Sequence, residues 1–218
     1  MPEKTPMAVP GSGGAPGTAP SSKAASSVTP PRGAAIHWIL FLTLACGITA
    51  ADLWSKAWIF RLLGVQLAPE FHAQRHIEVI PGFFWIEANI NIGAFSGWFA
   101  GQRVFLVTLS AAALVIIAWF FRTHLRGPGP CSLWFSAALG LLWGGTCGNL
   151  YDRALFGHVR DFIRWFIVWD GKERVWPNFN IADSAICVGV GIIIATFLFD
   201  SGRSAAAPPS GKARSGKA

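Results

Sequence analysis

Hydrophobic and polar positions divide the chain into four long apolar blocks, separated by two polar stretches and one short turn. The blocks cover about residues 36–54, 104–121, 133–150 and 181–199, and each is long enough to cross the core of a bilayer as a helix. Residues 1–35 are rich in Pro, Gly, Ala, Ser and Thr without apolar periodicity, and residues 200–218 have a similar composition with added Lys. Neither end can repay the entropy of ordering, so both are expected to be disordered tails. No apolar core follows Met1 at the distance a cleavable signal peptide requires. Residues 36–199 are therefore expected to form one membrane domain.

Between the first two blocks, Phe84, Ile86, Ala88, Ile90 and Ile92 alternate with Trp85, Glu87, Asn89 and Asn91. This period of two predicts a strand, with Pro81-Gly82 as the turn before it and Ile77 and Val79 in a partner strand. After the third block, Phe162–Trp169 is predicted to lie amphipathically in the membrane interface. Gly140, Gly144, Gly145 and Gly148 allow close helix approach, which puts the third span at the centre of the bundle. The expected fold is an all-α membrane protein. It has four transmembrane helices, a small extracytoplasmic β-sheet cradle and an interfacial helix or loop.

Composition agrees with a polytopic membrane protein: 52% of residues are hydrophobic, 13% are charged, and there are 11 Trp and 17 Phe. The net charge of +7 suggests nucleic acid until it is located. Nine of the 18 Lys and Arg lie in the two tails and the 122–130 turn, where Glu3 and Asp200 are the only acids, so the surplus suits an anionic inner leaflet. No nucleic-acid partner is expected. Four spans put both termini on one side. The basic count is nine on each face, so orientation rests on Arg122 and Arg126 in the short turn, which place the tails in the cytoplasm. Cys46, Cys131, Cys147 and Cys187 all fall in or beside apolar blocks without metal-ligand spacing and read as buried free thiols.

The candidate chemistry gathers at block ends. Asp52 and Lys56 are four apart on one helical face and read as an interfacial ion pair, with Trp54 and Trp58 as belt anchors. Asn149, Asp152 and Arg153 close the third block, Asp161 follows, and Asn180 and Asp183 open the fourth. Two carboxylates brought together at low dielectric cannot both ionise, so one proton is shared. Peptide hydrolysis needs this arrangement: the ionised partner takes a proton from water while the protonated one hydrogen-bonds the scissile carbonyl. No metal or cofactor is called for. Each residue also has a structural reading. Asn180 and Asp183 form a helix-capping box, Asp161 between Arg160 and Arg164 is a solvated loop acid, and Asp152-Arg153 snorkels to the interface. A proton or ion translocator using Asp52, Asp161 and Asp183 as a relay, and a non-catalytic lipoprotein-binding scaffold, are alternatives from other classes.

Gly144-Gly145-x-x-Gly148-Asn149-Leu150-x-Asp152-Arg153, His158-Val159-x-Asp161-Phe162 and Phe179-Asn180-x-Ala182-Asp183-Ser184 resemble the signature segments of the bacterial lipoprotein signal peptidases, also called signal peptidase II. Asp52-x-x-x-Lys56 and Ile80–Phe84 leading to Asn91 resemble further parts of that family, and the likeness covers roughly residues 36–199. It implies an aspartic endopeptidase of the bacterial inner membrane with its active site near the outer face. Such an enzyme removes the signal peptide of a prolipoprotein just before its diacylglyceryl-modified cysteine. Asp161 and Asp183 would be the catalytic pair. Asn91, Asn149, Arg153 and Asn180 would line the substrate groove, with Asp52, Lys56 and Asp152 in support. Membrane lipids and globomycin-type inhibitors are the other implied partners. The segment after Asn91 departs from the family's usual pattern, because Phe95 comes one place early and displaces Ser96.

Overall fold

The computed structural model describes residues 33–65, 75–94, 99–127 and 131–205. The expectations for most of the two tails, and for Phe95 and Ser96, lie outside the described residues. Four helices run in chain order with two β-hairpin segments between them: α1 (Ala34–Leu62), β1 (His76–Ile80), β2 (Phe84–Asn91), α2 (Arg103–Arg126), α3 (Leu133–Phe156), β3 (Val159–Trp169), β4 (Lys172–Val175) and α4 (Ile181–Ala205). The α1, α2 and α4 helices are long and apolar enough to cross a membrane. Helix α3, with its glycines and its polar end at Asn149, Asp152 and Arg153, is not among the helices that meet that measure.

Helix α3 packs against all three other helices, as its glycines predict. Its start is capped by Ser132, whose Oγ accepts the Phe135 amide at 3.3 Å. At its end Gly157 adopts φ +81° and closes the last turn on the Arg153 carbonyl. Phe41 and Ala45 of α1, Ile117, Phe121 and Leu125 of α2, and Leu139 of α3 form the apolar core at one end of the bundle. Ile39, Leu42, Val104, Leu109, Val115, Ile116, Val188, Ile194 and Phe197 face outward, as expected where the solvent is lipid. The same geometry explains the cysteines. They are free, but Cys46 and Cys187 lie on the outer surface rather than in the interior.

The strands form one antiparallel sheet in the order β1-β2-β3-β4. The β1–β2 hairpin stands where the alternation predicts it, turning at Pro81-Gly82 with Gly82 at φ +70°. Residues 162–169 depart from expectation. They are not an interfacial helix but the body of β3, paired with β2 on one side and β4 on the other. Their aromatic and β-branched side chains suit a pleated surface, and pairing on both edges satisfies backbone groups that a lone interfacial segment would leave to water. Asp170 and Gly171, at φ 52° and 68°, make the tight turn into β4.

Helix α1 also runs two turns past the predicted end at residue 54, which places Asp52 and Lys56 inside the bundle rather than at the interface. Both are fully buried, whereas Trp54 and Trp58 stack on each other at the exposed surface. Close approach makes this possible. A Cβ on Gly148 would strike the Asp52 carboxylate, and one on Gly145 would strike the Ala182 carbonyl of α4. Gly148→Ala is therefore expected to destabilise the protein by about 1–3 kcal/mol, the usual cost of overpacking, as read by thermal denaturation in detergent. A neutral effect would mean that α1 and α3 slide apart freely.

Candidate active site

Two asparagines tie the end of α3, the start of α4 and strand β3 together. Asn180 and Asp183 do form the capping box of the structural reading: the Asp183 amide donates to Asn180 Oδ1 at 3.0 Å and the Asn180 amide to Asp183 Oδ2 at 3.2 Å. The box leaves one end of each side chain unused by capping, and both free ends point into a single site. Asn180 Nδ2 donates to Asp161 Oδ1 at 2.7 Å and to Asn149 Oδ1 at 3.2 Å. Asn149 Nδ2 in turn donates to Asp183 Oδ1 at 2.8 Å. The capping reading and the chemical reading are thus two halves of one arrangement.

Asp161 is 1% exposed, so it is not a solvated loop acid. The β2–β3 ladder sets Asn89 directly opposite it and Asn91 opposite Val159. Burial away from water pushes the Asp161 carboxyl up to about 7, with the nearby charge of Asp183 adding to the rise; hydrogen bonds from Asn91 and Asn180 and the Lys56 charge oppose it. Its proton is therefore in play near neutral pH, as a shared-proton pair requires.

Behind the asparagines lies a buried ionic cluster whose extent the sequence did not disclose. Lys56 Nζ sits 2.7 Å from Asp52 Oδ2 and 3.4 Å from Asp152 Oδ2, and donates to Asn149 Oδ1 at 3.0 Å. Asp52 Oδ1 accepts the Ala182 amide at 2.9 Å, so α1 caps α4. Asp152 takes three hydrogen bonds from Arg160: the backbone amide at 3.0 Å and the guanidinium at 3.2 and 2.7 Å. Asp152 thus anchors β3 to α3 and does not snorkel. Sequence reasoning passed over Arg160; the only signal for it was its place beside Asp161. With one proton on the Asp161–Asp183 pair, Lys56, Arg153 and Arg160 balance Asp52, Asp152 and that pair, leaving the cluster neutral. Neutrality is what a buried site demands.

Arg153 is half-buried and reaches across to the Gly93 carbonyl at 3.1 Å, while its Nε has no partner among the described residues. Asn91 is held by its own turn: its Oδ1 accepts from the Gly93 amide at 3.0 Å and its Nδ2 donates to the Ala94 carbonyl at 3.3 Å. All nine residues singled out from the sequence thus belong to one contiguous polar region at one end of the bundle. That region combines buried carboxylates with fixed amide donors, parts from which a water-activating site can be built without a nucleophilic side chain.

A model of the signal peptidase (SPase) II family matches residues 44–199. A lipoprotein signal peptidase of Rhodopirellula baltica is 37% identical over 187 residues, covering 82% of this chain and 78% of that protein. One from Xanthomonas campestris is 38% identical over 183 residues, covering 80% of this chain and 95% of its own. A solved bacterial membrane enzyme superposes with a TM-score of 0.63 at 29% identity, over 79% of this chain and 94% of its own. With its matched segment taking in most of the four helices and every residue of the buried polar region, this chain belongs to the signal peptidase II family of proteases.

Proposed function

We propose that this protein cleaves the signal peptide from prolipoproteins immediately before the diacylglyceryl-modified cysteine, using Asp161 and Asp183 to activate water. The reading rests above all on the Asn149–Asn180 pair, which ties both carboxylates into one hydrogen-bonded unit, with Asp161 buried and titrating near neutrality. The signal helix enters laterally from the bilayer, unwinds at the end of the bundle and sets its scissile carbonyl between the two acids. The ionised carboxylate takes a proton from water as the water attacks. The protonated one hydrogen-bonds the carbonyl oxygen and stabilises the charge that develops there. As the tetrahedral intermediate collapses, a proton passes to the departing amine of the cysteine. Asn91 and Arg153 line the groove and hold the substrate backbone, with Asn149 and Asn180 fixing the acids. Asp52, Lys56 and Asp152 hold the asparagines in place. A relay of acids for ion movement would step through the membrane, whereas these cluster at one end of the bundle, so the translocator reading has no support.

In this reading α3 is the fourth span, its polar end buried against α1, β3 and α4. Both termini are cytoplasmic, the sheet cradles the substrate at the outer face of the bacterial inner membrane, and globomycin-type inhibitors occupy the same groove. Cleavage of a lipidated precursor by the full-length protein in proteoliposomes tests the activity. The expected result is one cut before the modified cysteine, and an uncut lipidated precursor would refute the proposal. The pH profile tests the shared proton. Asp161 holds its proton below about 7, so the rate is expected to fall as pH rises through that value, and to fall again in acid once the second carboxylate is protonated. A rate that keeps rising with pH would require a different base.

A further inference from the structure

A pocket of about 420 Å3 opens beside Asp161. Asn89 and Asn91 of β2, Asp161 of β3, and Val175, Trp176 and Asn178 of the chain leading into α4 line it. No helix contributes to that lining among the described residues. The lining is mixed, with Ile90, Ile92 and Pro177 adding to its apolar part, and the register gathers its polar groups: Asn89 faces Asp161 across the ladder and Asn91 lies two residues on, so all three share one face of the sheet.

The pocket's hydrogen-bonding capacity is specific. Asn178 donates its amide to Glu87 Oε2 at 3.4 Å, which leaves its carbonyl oxygen as an acceptor. Glu87 is 2% exposed, and Arg164 neutralises it at 3.0 Å while also reaching Glu173 at 3.1 Å. The carboxylate behind Asn178 thus carries its own counter-charge, and the second acid on Arg164, Glu173, lies at the exposed surface. The Asn89 side chain is half-buried and has no hydrogen-bond partner among the described residues, so it offers both a donor and an acceptor.

We propose that this pocket is the subsite for the substrate residue that follows the lipid-modified cysteine, and that Asn89 and Asn178 select a neutral hydrogen-bonding side chain there. The inference rests on the peptidase reading above. A signal helix and acyl chains stay in the hydrocarbon among the helices, whereas the mature chain must leave toward water. The pocket lined by strands and the segment before α4 offers it a route.

The test uses the full-length protein in proteoliposomes and two lipidated precursors that differ only in Asn or Leu after the cysteine, a near-isosteric pair. The wild type is expected to favour the Asn precursor by about 10-fold in kcat/KM, the cost of one buried hydrogen bond left unmade. Asn178→Leu and, separately, Asn89→Leu are each expected to bring that ratio close to one, and if either variant fails to fold the other carries the test. A wild-type ratio near one, or a ratio unchanged in the folded variants, overturns the subsite. If the wild type cuts neither precursor, the peptidase reading itself fails and the subsite with it.

Discussion

Asp161→Asn and Asp183→Asn are each expected to lower precursor cleavage by roughly 10²–10⁴-fold, the range supplied by a positioned general acid or base. Asparagine keeps the shape and the hydrogen bond from Asn180 or Asn149 but can neither hold nor take up the shared proton. Near-normal cleavage by either variant would show that the pair does not perform the chemistry. Stability offers an independent readout for Asp161. Its carboxyl is raised from an unfolded value of about 3.9 to about 7, so the native state holds the proton more tightly than the unfolded one. That contribution is fully present below the unfolded value and is lost as pH rises through about 7. Asp161→Asn removes the titration, so the variant should gain thermal stability relative to wild type between pH 4 and pH 8. A gap that stays constant would place the carboxylate in a solvated setting, and one that shrinks with pH would mean that the folded protein favours its ionised form.

The second large effect is expected at Lys56, which never touches the reacting atoms. Lys56→Met leaves Asp52 without its ion-pair partner in the interior and removes a donor from Asn149. Breaking a buried pair in this way costs about 3–5 kcal/mol, because the stranded charge cannot reach water. Asp152 suffers less, since Arg160 still binds it through its backbone amide and guanidinium. Adding Asp52→Asn to Lys56→Met should therefore restore most of the lost stability. It should not restore the rate, because Asn149 Oδ1 then keeps only the 3.2 Å bond from Asn180 and its amide is held less firmly toward Asp183. A double-mutant cycle read by both denaturation and cleavage separates the two roles. If Lys56→Met costs less than about 1 kcal/mol, the ammonium is solvated and the positioning argument fails.

The residues differ in how far their roles could be read from the chain. Asp161 and Asp183 were recognisable because acids at the edge of apolar blocks are expensive, and Asn180 because a residue three before an acid at a helix start is a cap. The β1–β2 hairpin was readable from alternation and a Pro-Gly turn. The β3 strand was not, because Phe162–Trp169 is apolar and aromatic nearly throughout and carries no clean period that separates a strand from an interfacial helix. Asp52 and Lys56 looked interfacial because their neighbours in sequence are Trp54 and Trp58. Their actual partners, Asp152, Asn149 and Ala182, lie about a hundred residues away. Arg160, Glu87 and Arg164 were invisible for the same reason: a charge on a strand reads as solvated until its partner is known.

By itself the sequence determined which segments are apolar enough to be helices, where the chain must turn, and which polar groups sit at the bundle's end, because these follow from local composition and period. Only the tertiary structure decided which of those groups are buried, who neutralises whom, and that the two carboxylates draw on the same pair of asparagines. Burial and charge pairing are properties of atoms close in space, and residues 52, 56, 149, 161 and 183 come together only when α1, α3, β3 and α4 pack across glycines.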